Sequence, residues 1–253
     1  MKRLILITND DSAHAPGMYS LIDRALEFGD VIAVAPAEPQ SGKSSALTVD
    51  GPLRINELPD YHGARVFTVS GTPVDCVKLA LHAIVPRKPD LLLSGTNHGS
   101  NSGNAILYSG TMGAVMEGCT CGITSVGFSL CHHSIKADFQ LSADIVRQII
   151  AEVVANGLPA HTALNVNIPA RVRPEGVRVC RAALGHWSEE YKRYLDPQGR
   201  PFYFLTGRFV NEEPDATDTD EYWLGKNYVS VVPVALDQTA VAAIAPLSER
   251  FNH

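Results

Sequence analysis

The sequence predicts an α/β protein with a Rossmann-like, mostly parallel sheet, helices on both faces and a β-rich C-terminal extension. Three observations carry this. Short, almost wholly apolar runs recur along the first two thirds of the chain, as strands buried on both faces require. Helix-length amphipathic segments separate them, the alternation that builds parallel βαβ units. Polar, Gly-rich or Asn-rich loops follow the runs, where open α/β sheets bind ligands.

Taken in order, strands are expected at 3–8, 30–35, 65–70, 90–94, 123–128 and 162–168. Helices are expected at 17–28, 73–84, 110–119 and 138–155. Right-handed crossovers then follow by default. Residues 46–58 alternate enough to suggest a hairpin between the second and third of these strands. The second helix opens on Thr72-Pro73-Val74-Asp75, a capping box with proline at the first helical position. The fourth strand's loop leads to Ser109 and Thr111, either a natural N-cap for the next helix. Beyond Pro169 the pattern changes: strands are expected at 177–184, 201–206 and 228–236, with an irregular polar stretch from Trp187 to Tyr194. Residues 1–170 are thus expected to form a Rossmann-like core, the part that would carry any catalytic site. Residues 171–253 extend the same domain with a projecting hairpin, either a contact surface for a second copy or a surface flap.

At 253 residues the chain is long enough for a sizeable core without disulfides. Five cysteines, an odd number at scattered positions, fit free thiols in a reducing cytoplasm. Cys119 and Cys121 lack the partners of a zinc site. Met1-Lys2-Arg3 runs straight into the first strand, leaving no apolar signal segment, and no run is long enough to span a bilayer. A net charge of −6 argues against a nucleic-acid surface.

The chemistry concentrates in four loops. Leu4-Ile5-Leu6-Ile7 empties through Thr8 and Asn9 into Asp10 and Asp11, and adjacent carboxylates at a strand's carboxyl end suggest a divalent cation. The loop 36–45 places the Ser41 hydroxyl and the backbone around Gly42 at the same sheet edge. Residues 94–104 offer Asn97, Asn101 and Asn104 among three glycines, with Asn97 within reach of a cation at Asp10 and Asp11. His98 there is either a proton donor to a leaving group or an ordinary exposed loop histidine. Ser109-Gly110-Thr111 opens a helix whose free N–H groups suit a phosphate. The acidic run Asp215, Asp218, Asp220 and Glu221 lacks an EF-hand pattern and reads as a solvated segment opening a short helix. His132-His133 lacks the zincin spacing, and there is no nucleophile elbow.

These motifs together resemble the survival protein SurE family of metal-dependent 5′-nucleotidases. The matching pieces are Thr8-Asn9-Asp10-Asp11, Ala35-Pro36 with Gln40-Ser41-Gly42, and Ser70-Gly71-Thr72-Pro73-Val74-Asp75. Ser94-Gly95 with Asn97 and Gly99, Tyr108-Ser109-Gly110-Thr111, Asn165-Val166-Asn167-Ile168-Pro169 and Thr219-Asp220 continue the series in order. The resemblance implies one Mg²⁺ or Mn²⁺ per subunit on Asp10, Asp11, Ser41 and Asn97, a donor set of hard oxygens only. It implies nucleoside monophosphate substrates; a water that the cation acidifies would cleave them, with Asp10 or Asp11 orienting that water or accepting its proton. Asn9, Gly42, Asn97, Gly99, Ser109, Gly110 and Thr111 would hold the phosphate. It also implies an extension exchanged between subunits in a homodimer or homotetramer, and no membrane or nucleic-acid partner. The alternative on the same fold is a non-catalytic nucleotide-binding or assembly protein. Ser12 stands where the family has Gly after the aspartates, so a positive φ there would carry strain. Ser45, Trp223 and Asn227 also depart from the pattern.

Overall fold

The computed structural model describes residues 2–132, 137–170 and 173–252. His133 therefore lies outside the described residues. In the first 170 residues β1 (Leu4–Thr8), α1 (Pro16–Ala25), β2 (Asp30–Pro36), β3 (Ile55–Tyr61), β4 (Ala64–Val69) and α2 (Pro73–Leu79) follow one another. They are succeeded by β5 (Leu91–His98), α3 (Gly110–Thr120), β6 (Thr124–Cys131), α4 (Gln140–Asn156) and β7 (Thr162–Pro169). The rest contributes β8 (Val177–Val179), β9 (Gly185–Ser188), β10 (Tyr191–Leu195), β11 (Pro201–Leu205), β12 (Arg208–Asn211), α5 (Asp220–Gly225), β13 (Val229–Ala235) and α6 (Val241–Phe251).

Nine strands form one sheet in the order β3-β4-β2-β1-β5-β6-β7-β13-β8. From β4 to β7 every neighbouring pair is parallel. At the edges β3 runs antiparallel to β4, and β13 antiparallel to β7. Alternation along β1 explains why its whole length is apolar. Ile5 and Ile7 pack with Met18, Leu21 and Ile22 of α1 and Val146 and Ile150 of α4. Leu4 and Leu6 face the other way, against Cys76 and Val77 of α2 and Met112 and Val115 of α3. Each face needs its own helix pair, so no position of the strand is left for a polar residue until Thr8.

The Thr72 capping box forms as expected, with Thr72 accepting from the Asp75 N–H and Asp75 accepting from the Thr72 N–H. Asp75 also takes the Thr48 N–H and hydroxyl, and the Thr72 hydroxyl donates to Ala46 O. That anchoring corrects the expected hairpin at 46–58: residues 46–54 carry no strand. The hairpin is instead β3 and β4, joined through His62 and Gly63, both with positive φ (50° and 91°), as tight antiparallel turns demand. The helix expected at 73–84 changes at Leu79 into a π-helical turn over Ala80–Ile84.

The extension departs further from expectation. The stretch expected to be irregular from Trp187 holds β9 and β10, which pair antiparallel with β12 and β11 to form a projecting two-part β arm. Of the strand expected at 177–184, only Val177–Val179 forms. The helix α6, unforeseen, buries none of its residues. Among the described residues no helix is long and apolar enough to cross a membrane.

Candidate active site

The sheet order reverses between β1 and β5, so the loops leaving these neighbours diverge and open a crevice at their carboxyl ends. The sequence puts Asp10 and Asp11 two and three residues after β1, and Asn97 and His98 at the end of β5. The β5–β6 register shifts between Ser94 and Asn97, so the pairing is interrupted just before Asn97. From the β2 side, the Gln40 N–H donates to Asp10 O at 2.7 Å. The Ser44 N–H and hydroxyl donate to Tyr108 O and Leu107 O, fastening the Ser41 loop over the start of α3.

A cleft of about 640 Å³ results, bordered by Asp10, Ser41, Gly42, Asn97, Gly99 and Ser109 among others. Asp11 joins this edge through His98, whose N–H donates to Asp11 Oδ2 at 3.0 Å and whose Nδ1 lies 3.1 Å from the same oxygen. Asn97 donates its amide to Gly99 O at 3.0 Å, which leaves Oδ1 as the uncommitted atom of that side chain. Asn9, Gly110 and Thr111 do not border the cleft. Asn9 is fully buried and donates to Ser12 O, bracing the turn, while its Oδ1 has no hydrogen-bond partner among the described residues. Gly110 lies against Asp10, where a Cβ would come within 2.8 Å of the Asp10 Cβ. The Thr111 hydroxyl donates to Asp10 Oδ1. Ser109, not Thr111, caps α3, accepting from the Met112 N–H.

The start of α3 is therefore aimed at a protein carboxylate. Burial pushes the Asp10 carboxyl from 3.8 up to about 6, with Asp11 adding repulsion, against the lowering effect of the Thr111 hydroxyl and backbone. Among the described residues no Lys or Arg pairs with either aspartate. No three His, Cys, Asp or Glu converge there either. The available donors are two carboxylates, an amide oxygen and a hydroxyl, a set that fits Mg²⁺ or Mn²⁺ and not zinc. A buried carboxylate without a cation from the protein is the feature such an ion would relieve.

His98 corrects the expectation of an exposed loop histidine. Its side chain is 15% exposed, edge-on to Phe139, and its buried Nε2 has no hydrogen-bond partner among the described residues. Ser12 has φ 90°, so the strain foreseen for a side chain at this turn is present, on the order of 1–3 kcal/mol. Asn227 also has positive φ, which Asn tolerates, and donates to Arg173 O. Trp223 packs on Tyr228 beneath the Arg178 guanidinium. Nothing in the structure distinguishes Ser45.

Two supports of the 99–104 loop escaped sequence reasoning. Asn101 donates to Ser129 Oγ, its N–H donates to Asn167 Oδ1, and Asn165 donates to Asn101 O, a buried network across β6 and β7. Asp220 opens α5 after the Thr219 cap as the sequence suggests, but it is wholly buried and not solvated. It accepts the N–H groups of Gly103, Ala183 and Glu221, while Glu221 accepts from the Ser102 hydroxyl. Burial holds the Asp220 carboxyl above the usual range despite those three donors.

Fold and cleft define a Rossmann-like α/β protein with an acidic ligand site at its topological switch point. Comparison with known proteins narrows this. The family described as Survival protein SurE matches residues 5–189. Similar chains include "5′-nucleotidase SurE" of Phocaeicola vulgatus, 46% identical over 94% of this chain and 93% of the relative. "5′-nucleotidase SurE" of Christiangramia forsetii is 47% identical over 98% and 96%. The crystal structure of the SurE protein from Aquifex aeolicus superposes with a TM-score of 0.83 at 34% identity, covering 98% of this chain and 99% of that one. The chain belongs to the survival protein SurE family.

Proposed function

We propose that this protein is a metal-dependent 5′-nucleotidase that hydrolyses nucleoside 5′-monophosphates to nucleoside and phosphate. The observation that carries this reading is Asp10: a buried carboxylate with no Lys or Arg partner among the described residues, bordering one cleft with Ser41 and Asn97 in a chain whose relatives bear that name. Asp10, Asp11, Ser41 and Asn97 would hold a single Mg²⁺ or Mn²⁺. Such an ion supplies neutralisation of phosphoryl charge and acidifies water for in-line attack. The chain's own residues do the positioning. Gly42, Gly99 and Ser109 border the space for the phosphate, and the Asn97 amide, which donates to Gly99 O, leaves its Oδ1 as the donor atom for the ion. Asn9, Gly110 and Thr111 act through Asp10 and its turn. Asp11, which accepts the His98 N–H, would accept the proton of the attacking water.

Phosphate release from AMP with Mn²⁺ or Mg²⁺, with and without chelator, tests this. Activity is expected to vanish with chelator and return with either ion; equal rates in the chelated sample reject the metal site. Ion binding must displace the Asp10 proton. The rise in melting temperature caused by Mn²⁺ is therefore expected to be small at pH 5 and to grow as the pH passes about 6.

The extension fits the expected self-assembly. Leu195, Tyr203 and Phe204 on the arm, and Val241, Ile244 and Phe251 on α6, are exposed. Apolar surface of this kind marks an interaction site, and residues 171–253 are read as the element joining copies into a dimer or tetramer. Sedimentation is expected to give two or four times the chain mass; a single-chain mass rejects the assembly. The free cysteines agree with a cytoplasmic protein.

A further inference from the structure

The lining of the cleft comes from two sources of opposite chemistry. The sheet's carboxyl edge supplies Asp10, Ser41 and Asn97, and the root of the β arm supplies Trp187, Glu190 and Tyr191. The first group suits a phosphate with its ion. The second offers an indole, a phenol and a carboxylate with no role in phosphate chemistry. The volume, about 640 Å³, falls within the range of small-molecule sites.

The arm is not free to swing away from this cleft at its root. Phe209 pairs with Trp187 across β9 and β12 and meets its ring edge-on at 6.1 Å. The same Phe209 ring fills the space that side chains at Gly103 and Gly185 would take, where a Cβ would lie 2.7 and 2.4 Å from Cζ. The Asn104 amide donates to Gly185 O. The Gly/Asn loop that borders the phosphate region and the strand that carries Trp187 are thus packed as one unit. Tyr191, 67% exposed, leaves its ring to solvent where a planar ligand would cover it.

We propose that Trp187 and Tyr191 form the face on which the base of the nucleotide lies, and that Glu190 accepts hydrogen bonds from the ribose hydroxyls. The assignment rests on the phosphatase reading above for the position of the phosphate. Stacking on aromatic rings tolerates every base, because each has a π-face. A carboxylate accepts but does not donate, which matches hydroxyl groups and repels a second phosphate. The site therefore selects for a ribonucleoside monophosphate and is indifferent to which base it carries.

The test compares kcat/KM of the full chain for AMP, 2′-deoxy-AMP and ribose 5-phosphate at fixed Mn²⁺. AMP binding is followed separately by quenching of tryptophan fluorescence in a Trp223→Phe background. In Trp187→Ala and Tyr191→Ala the preference for AMP over ribose 5-phosphate is expected to fall about tenfold each. Trp187→Phe is expected to keep most of it, which separates loss of the ring from damage to the arm. In Glu190→Gln the preference for AMP over 2′-deoxy-AMP is expected to fall several-fold. Active variants with unchanged preferences overturn the inference and leave the phosphatase reading standing. A wild-type chain that hydrolyses none of the esters, yet shows AMP quenching that Tyr191→Ala weakens, overturns the phosphatase reading and supports this one. Absence of both hydrolysis and quenching overturns both.

Discussion

Asp10→Asn is expected to lower AMP hydrolysis by on the order of 10³-fold, the loss typical of removing a preorganised charge-stabilising group, while the metal-free protein becomes more stable. The second half follows from burial. A carboxyl held from 3.8 up to about 6 binds its proton more tightly folded than unfolded. Its contribution to stability is fully present below about pH 4 and is lost as the pH rises through about 6. At neutral pH the ionised group then costs folding about 3 kcal/mol in the absence of a cation. Asn keeps the volume and can still accept from the Thr111 hydroxyl, so the charge is what the substitution removes. Thermal melting in chelator at pH 7.5 should show the variant several degrees above wild type, and Mn²⁺ should no longer raise its midpoint. A variant that melts lower, or one that still responds to Mn²⁺, would remove Asp10 from the metal site. The pairing of lost activity with gained stability is the mark of a group retained for function against the interest of the fold.

The parts of the molecule that were legible in the sequence are those whose burial is set locally. β1, β5 and β6 are covered on both faces by helices, so their residues are apolar throughout and stand out against any background. The polar residues that follow Thr8, Pro36 and Leu93 stand out for the same reason, and Asp10, Ser41 and Asn97 border one cleft because three neighbouring parallel strands end there. Of the β arm, a projecting hairpin and the strand at 201–206 were legible and form as β11 with a partner, but that partner, β10, was not, because it is exposed throughout and a strand with no buried side has no period to betray it. Alternation at 46–58 announced a strand but not its partner; the His62-Gly63 pair was the signal that would have placed the turn. His98 depended on Phe139 and Asp11, which no local pattern brings together. Asp220 was hidden by distance along the chain, since its partner Gly103 lies 117 residues away.

That separation gives Asp220 the second large effect. Three backbone N–H groups from three segments converge on one buried carboxylate, and nothing else in the described residues is placed to receive them. Asp220→Ala strands all three, and since each unsatisfied buried donor costs about 1–3 kcal/mol, a net loss of a few kcal/mol is expected in urea denaturation, after the relief of no longer burying the carboxylate. Asp220→Asn is the sharper experiment. Oδ1 receives Ala183 and Glu221, whereas Oδ2 receives Gly103. An asparagine that keeps its oxygen on the first two must turn its own amide donors towards the Gly103 N–H. The expected cost is about 1–3 kcal/mol, that of one unsatisfied buried donor, and it falls on the turn that follows Gly99 and Asn101 in the wall of the cleft. KM for AMP should therefore rise in Asp220→Asn, while mild destabilisation at the amino end of β1, opposite the cleft, by Lys2→Ala, which removes the exposed Lys2–Asp30 pair, leaves KM unchanged. Equal KM and equal stability in Asp220→Asn and wild type would show that the extension does not hold this loop. The extension would then be a neighbour of the cleft and not one of its supports.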